Sequence, residues 1–272
     1  MFVVVSLLAC TEDTRGVSGR VRDIWGKPVP EATVVVEGVM DRFYTESDGS
    51  FAFDVPVSKL VLHTDEEGSS GLGAAGAAGV RVLVGKDGFI KDMAVAQELA
   101  EGEDFEAVTL SLYPEPSSTG FYAVGSQGYV QLGNQRIQMV GTGLAHFAGV
   151  QNIPDEAVQA GKVQVVFNTR LRPSEISQMN LHLSRLEFVS KAEVKGIFGS
   201  EQTAVNLWVA KEDVPFDVES FDTREDYLVS SRAELASGMY AFHAHDVLHE
   251  EDDRVLRSLP REQLVAFPFE VR

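Results

Sequence analysis

The chain has 272 residues, with 41 acidic against 23 basic side chains, a formal net charge of −18 and one cysteine. This acidity excludes generic nucleic-acid binding, which begins with cations on phosphates, and a single cysteine excludes an internal disulfide and Cys-rich zinc sites. An apolar fraction of 44% is typical of a folded protein, and this length favours two domains of about 100–150 residues each.

The N-terminus has the features of an export signal. Residues 1–9 are apolar or small and precede Cys10 and a polar run, 11–15. As a helix they would span about 14 Å, half of a bilayer, which suits a signal core rather than a transmembrane anchor. Leu7-Leu8-Ala9-Cys10 resembles the bacterial lipobox. The resemblance implies a signal remnant at 1–9, a lipid on Cys10 and a tether at 10–15. The alternative is a hydrophobic first strand with a buried thiol.

Residues 16–112 alternate apolar and polar positions between turn signals. Val17, Gly19 and Val21 alternate first, and Val80, Val82 and Val84 alternate later. Ser47-Asp48-Gly49 and Asp87-Gly88 are typical turn sequences. Period-two runs at this spacing predict an antiparallel β-sandwich without a helix.

The order of these elements resembles the carboxypeptidase regulatory-like domain, a transthyretin-like sandwich of seven strands. The resembling stretches are 17–23, 26–34, 45–51 and 84–89. The resemblance implies a non-catalytic accessory module of the kind found beside peptidases, receptors and surface proteins.

A glycine-rich run at 71–76 formally matches a dinucleotide-binding fingerprint. That chemistry requires a helix directly after the glycines, with its N-terminus facing a pyrophosphate. A predicted strand at 80–84 follows almost at once and leaves no room for this helix. We therefore predict a flexible loop and no organic cofactor.

Residues 113–120 contain two prolines and several small hydroxyl residues, which predicts a linker between the domains. Residues 121–272 contain further strand-like runs and predict a second β-sandwich, of immunoglobulin-like type. The segment 174–189 keeps helical spacing at first and strand spacing later. This pattern predicts a short helix near 174–180 that runs into a strand.

The densest cluster of chemically capable side chains is His243, His245 and His249, followed by the acidic run 250–253. On a strand, His243 and His245 would point to the same face and could bind one metal ion. His249 or a following carboxylate would complete a zinc-type site. The alternative is a strand end that enters a solvated acidic loop. Neither a calcium-loop pattern nor a nucleophile elbow is present, and no catalytic residue is predicted.

Together these features predict a non-enzymatic, lipid-anchored protein of the bacterial envelope, in the outer membrane because Thr11 is not the aspartate of inner-membrane retention. Its predicted partner is a protein or a glycan of the envelope. Two alternatives remain open. One is a metal- or small-ligand-binding protein that uses the histidine cluster. The other, argued from the fold of the first domain alone, is an accessory subunit of an envelope hydrolase.

Overall fold

The computed structural model describes residues 13–64, 78–142, 145–153, 157–196, 199–221, 226–250, 253–261 and 263–272. The chain divides into two compact units, Met1–Glu115 and Pro116–Arg272. Strands dominate both units, so the predicted all-β class of sandwich modules is confirmed. Among the described residues, no helix is long and apolar enough to cross a bilayer. Cys10 and the glycine run at 71–76 lie outside the described residues.

The described part of the first unit forms nine strands, two more than the family resemblance implies, and three of them are two residues long. They are β1 (Thr14–Asp23), β2 (Thr33–Val36), β3 (Phe43–Tyr44), β4 (Ser50–Pro56), β5 (His63–Thr64), β6 (Ala78–Gly85), β7 (Phe89–Ile90), β8 (Asp92–Gln97) and β9 (Val108–Pro114). One sheet has the order β4-β1-β9-β7, and the other has the order β3-β2-β6-β5 with β8 also paired to β6. β1 runs antiparallel to β4 and parallel to β9.

The predicted alternation builds the core of the first unit. In β6 the three valines at 80, 82 and 84 are buried, whereas Arg81 and Leu83 face outward. In β1, Val17 and Val21 are buried in the same way and belong to the same cluster. Each buried valine stabilises the fold by on the order of 1.5–3 kcal/mol relative to an exposed one. A one-residue slip of either strand would expose these side chains.

The turn at Ser47–Gly49 leads into β4. Gly49 has a φ of +78°, in the left-handed region that favours glycine. A Cβ at Gly49 would stand 2.3 Å from the carbonyl oxygen of Val21. Asp48 accepts hydrogen bonds from the backbone N–H and the hydroxyl of Ser50, at 2.9 and 2.6 Å. This turn therefore requires both the aspartate and the glycine.

The second unit contains thirteen strands and two short helices in its described part. The strands are β10 (Gly120–Val124), β11 (Tyr129–Leu132), β12 (Gln135–Arg136), β13 (Gln138–Thr142), β14 (Ala145–Val150), β15 (Ala157–Val158), β16 (Gln164–Asn168), β17 (Leu181–Gly196), β18 (Gly199–Asp213), β19 (Phe216–Ser220), β20 (Asp226–Ser231), β21 (Gly238–Ala244) and β22 (Val265–Val271). The helices are α1 (Pro173–Met179) and α2 (Asp253–Ser258).

These strands form two sheets. The smaller has five strands in the order β11-β10-β16-β20-β19. The larger has eight, in the order β12-β22-β21-β17-β18-β14-β13 with β15 beside β22. Aromatic side chains fill the space between the sheets: the ring of Phe121 lies 4.0 Å from that of Phe167 and 5.1 Å from that of Phe242, centroid to centroid. This packing makes the second unit a β-sandwich.

The larger sheet is also covered on its other face. A second apolar cluster there contains Leu186 and Ala241 from the sheet, with Val247, Leu248 and Leu256 from the segment that follows β21 and from α2. Successive residues of β21 therefore enter two different cores, because alternate side chains point to opposite faces. This double burial explains why the centre of β21 is a continuous buried run rather than an alternating one.

The predicted short helix near 174–180 is confirmed as α1. Glu175 Oε2 accepts the backbone N–H of Arg172 at 2.8 Å, which satisfies one free donor at the start of the helix. Asn180, with a φ of +46°, ends it, and β17 begins at the next residue. Helix α2 begins at Asp253, the last residue of the acidic run, and Leu256 packs into the apolar cluster on one of its faces.

Candidate metal centre and adjoining cavity

Three adjacent strands of the larger sheet position the candidate centre. His243 of β21 pairs with His182 of β17, and Ser184 of β17 pairs with Asp213 of β18. His182 and Ser184 are two residues apart on one strand, so they point to the same face as the paired His243. It is the face that carries the second apolar cluster. The register of the sheet thus brings together side chains that are distant in sequence.

The turn after β21 adds two more groups. Strand β21 ends at Ala244, and both His245 and Asp246 have a φ of +54°. The chain turns back there, and Asp246 Oδ1 lies 2.6 Å from His249 Nδ1. Within the described residues, His243, Asp246 and His249 each offer one ligand atom within 4.8 Å of the others.

The structure brings together a set of donors that differs from the predicted set at one residue. We expected His243 and His245 to share a face, which requires the strand to continue through both. The left-handed conformation of His245 breaks that alternation, and its backbone N–H instead donates to the carbonyl oxygens of Met179 and Asn180, at 3.0 and 3.1 Å. His245 lies outside the metal-competent group, and Asp246 belongs to it.

His243 is the buried member of the group, with 1% of its surface exposed. Its Nε2 lies 2.9 Å from the hydroxyl oxygen of Ser184, and its Nδ1 is buried without a hydrogen-bond partner. Burial is the main cause that lowers the pKa of His243 from 6.5 to about 3. The neighbouring His182 and His249 lower it too, against the smaller opposite effect of Asp246 and Asp213. The ring is neutral at physiological pH.

Two further ionisable side chains surround the group. Asp213 places Oδ1 3.7 Å from His249 Nδ1, and Oδ2 3.7 Å from His182 Nδ1. His182 Nδ1 also lies 3.8 Å from Asp246 Oδ1, and its ring stacks on that of His243 at 5.4 Å. Sequence reasoning missed Asp213 and Ser184 as neighbours of the histidines, since only the pairing of β17 with β18 and β21 reveals them.

Ser184, His243 and Asp213 do not form a hydrolytic triad, although all three residue types are present. In a triad the histidine lies between the serine and the acid and accepts the serine proton. Here the Ser184 hydroxyl donates directly to Asp213 Oδ1 at 3.0 Å. Ser184 is also 0% exposed, so no substrate can reach its oxygen. The serine orients the histidine and is not a nucleophile.

A cavity of about 470 Å³ adjoins the histidines at one end of the second sandwich. His243 and His245 form part of its wall. Most of the wall is apolar and comes from α1, both sheets and the segments between them: Phe121, Phe167, Leu171, Met179, Leu181, Val265 and Phe267. Glu175, Gln178 and Gln263 contribute polar groups, and the first two are exposed. An apolar interior with a few polar groups at its mouth is typical of a binding pocket.

Comparison with known proteins identifies no family. No family model matches the chain, and no curated protein matches it. Among solved structures, it is similar to BcpA, the major pilin subunit of Bacillus cereus, at 8% identity over 95% of this chain and 69% of that one, with a TM-score of 0.22. It is also similar to a "putative carbohydrate binding protein" from Bacteroides uniformis ATCC 8492, at 10% identity over 85% and 87% of the two chains, with a TM-score of 0.21. Values this low assign neither a family nor a function.

Proposed function

We propose that this chain is a non-enzymatic, lipid-anchored protein of the bacterial envelope whose second unit binds a partner protein. The cavity beside β21 carries the proposal, because its wall is mostly apolar and two of its polar lining residues, Glu175 and Gln178, are exposed. The lipobox-like residues before Cys10 support the anchor, and the strand pattern of the first unit supports an accessory role.

The chemistry of the cavity favours a protein over a glycan. A sugar needs hydrogen-bonding groups for its hydroxyls, because a polar group buried without one is unfavourable by about 1–3 kcal/mol. The aromatic and aliphatic wall offers few such groups. One large apolar side chain of a partner would fill the space and serve as the anchor of an interface.

Charge defines the partner further. The chain carries a net charge of −18, and Glu175 stands at the mouth of the cavity. Opposite charge on a partner raises the association rate and disfavours acidic competitors. The expected partner therefore presents an exposed apolar side chain flanked by lysine or arginine.

The test places a positive charge at the cavity mouth. Gln178→Arg changes an exposed residue that lines the cavity, whereas Ser174→Arg adds the same charge to an exposed residue of α1 that does not line it. The chain and both variants are cross-linked in native envelopes. Loss of a specific cross-linked protein in Gln178→Arg, with retention in Ser174→Arg, supports the proposal. A wild-type pattern in both variants, or no cross-linked protein with the wild type, overturns it.

The size of the cavity also suits a second candidate, a small apolar ligand. Ligand pockets of this kind begin at about 300 Å³, so an aliphatic or single-ring molecule would fit. Native mass spectrometry of the chain purified from envelopes separates the two candidates. A bound small molecule that is absent from Gln178→Arg favours the ligand, and an empty cavity with a cross-linked protein favours the partner.

A further inference from the structure

The donor set beside β21 has the chemistry of a transition-metal site. His243 and His249 supply imidazole nitrogens and Asp246 supplies a carboxylate. Two imidazoles with one carboxylate suit zinc and its neighbours in the first transition row, whereas calcium and magnesium prefer oxygen ligands throughout. The composition of the group therefore selects the class of ion.

The spacing of the donor atoms also fits one ion. Two ligands about 2.0–2.1 Å from a tetrahedral zinc lie roughly 3.4 Å apart. The donor atoms of His243, Asp246 and His249 lie within 4.8 Å of one another, and two of them are 2.6 Å apart. Small rotations of Asp246 and His249, whose side chains are 45% and 29% exposed, would bring all three to coordination distance.

The buried histidine is prepared for coordination. The ring of His243 lies inside the protein, with 1% of its surface exposed, and its two nitrogens have different surroundings. Ser184 is hydrogen-bonded to Nε2 of this ring and donates its own proton to Asp213. Metal-binding histidines are commonly oriented in this way, by a hydrogen bond at the ring nitrogen that does not bind the metal. With Nδ1 unpartnered, the ring still has one interaction to make, which no described protein group supplies.

The surrounding charge favours a cation. Asp213 and Asp246 both face the group, with His182 and His249 between them. In the metal-free protein His249 Nδ1 lies 2.6 Å from Asp246 Oδ1, at hydrogen-bond distance. A bound cation would replace this hydrogen bond and draw both groups to itself.

We infer that His243, Asp246 and His249 bind one divalent transition-metal ion of the zinc class, with a water molecule or the Asp213 carboxylate in a fourth position. The ion joins the turn after β21 to the face of the larger sheet. The site shares His243 with the wall of the cavity, but Gln178 and the apolar side chains of that wall supply no ligand to it, so the two proposals are tested by different variants.

The experiment is a zinc titration of the full chain, freed of metal with a chelator and followed by calorimetry. We expect saturable binding of one Zn²⁺ per chain and no comparable binding of Ca²⁺. His249→Ala and Asp246→Asn should each weaken zinc binding by at least about tenfold. His245→Ala should bind as the wild type does, although it removes an adjacent histidine.

A matched control lies in the first unit. His63 Nε2 and Glu37 Oε2 form a histidine–carboxylate pair at 2.8 Å, close in geometry to the pair of His249 with Asp246. His63→Ala should leave zinc binding unchanged, because the pair stands outside the metal-competent group. The inference fails if the wild type shows no saturable binding, or if His249→Ala and Asp246→Asn bind zinc as tightly as His63→Ala. His243→Ala is a secondary variant, interpreted only if its circular dichroism matches the wild type.

Discussion

His243 Nε2 lies 2.9 Å from the hydroxyl oxygen of Ser184, and through this serine β21 is connected to Asp213 of β18. A carboxylate accepts hydrogen bonds and cannot donate them, so the single hydroxyl proton of Ser184 points to Asp213. The serine oxygen then accepts the N–H of His243, which assigns the proton of the neutral ring to Nε2. Three neighbouring strands are thus joined by a polar chain beneath an otherwise apolar layer.

Ser184→Ala should destabilise the second unit by about 1–3 kcal/mol, since it leaves the N–H of a buried histidine without an acceptor. Alanine fits the space of serine, so the loss is polar and not a packing defect. Ser220→Ala, which removes an exposed hydroxyl bonded to the neighbouring carbonyl of Phe221, should change stability by less than about 0.5 kcal/mol. The measurement is urea unfolding followed by the fluorescence of Trp208, in a Trp25→Phe background. Equal stability of the two variants would contradict the role given to Ser184.

The stability of the second unit should fall as the pH falls from about 6.5 towards 3. The unfolded chain binds a proton at His243 near its ordinary pKa of 6.5, whereas in the folded protein burial lowers that pKa to about 3. Between these values the unfolded state holds more protons, so the free energy of unfolding decreases by up to about 1.4 kcal/mol per pH unit from this residue. Above pH 6.5 the contribution is constant.

His243→Gln provides the comparison, since glutamine keeps a hydrogen-bonding group and does not titrate. The difference in unfolding free energy between the two proteins should shrink with acidification over this range. A difference that stays constant from pH 7 to pH 4 would show that His243 is not held neutral in the fold.

Two glycines of the first unit allow the cost of a left-handed backbone to be measured separately from the cost of a steric clash. Gly49 and Gly88 have nearly equal φ values, +78° and +79°. A Cβ at Gly88 would meet nothing within 4 Å, but one at Gly49 would stand 2.3 Å from the Val21 carbonyl. Gly88→Ala should therefore cost about 1 kcal/mol from conformation alone, and Gly49→Ala clearly more. Urea unfolding followed by Trp25, in a Trp208→Phe background, measures both, and equal losses would argue against the contact.

The fold class was predictable because it depends on short-range patterns. The alternating valines of β6 and the Asp48-Gly49 turn are local features, and each has the structure expected of it. Helix α1 was also predictable, since Pro173 and Glu175 are start signals that depend on the chain just around them.

The candidate site was predictable only in part. His243 and His249 were visible as a cluster in the sequence, but the exclusion of His245 depends on where β21 ends. Ser184 and Asp213 depend on the register of three strands, and a single sequence does not fix that register. Asp246 was not singled out from the sequence, because the distance from its carboxylate to the histidines depends on the conformation of the turn after β21.

Cys10→Ser tests the proposed anchor. If the lipobox-like sequence is processed, the variant should keep its precursor size and move from the membrane fraction to the soluble fraction. Membrane fractionation and immunoblotting after expression in a Gram-negative host measure both properties. If Cys10→Ser has the same size as the wild type and stays in the same fraction, lipid anchoring is no longer part of the proposed function.

The metal centre is tested most directly by the visible absorption spectrum of the chain titrated with Co²⁺, which adopts the geometry of zinc sites and reports its own coordination. We predict that the wild type and His245→Ala develop intense d–d bands that saturate at one ion per chain, and that Zn²⁺ bleaches them. His249→Ala should not develop these bands. A wild-type spectrum that matches aqueous Co²⁺, or bands that persist at full intensity in His249→Ala, would contradict a site built from His243, Asp246 and His249.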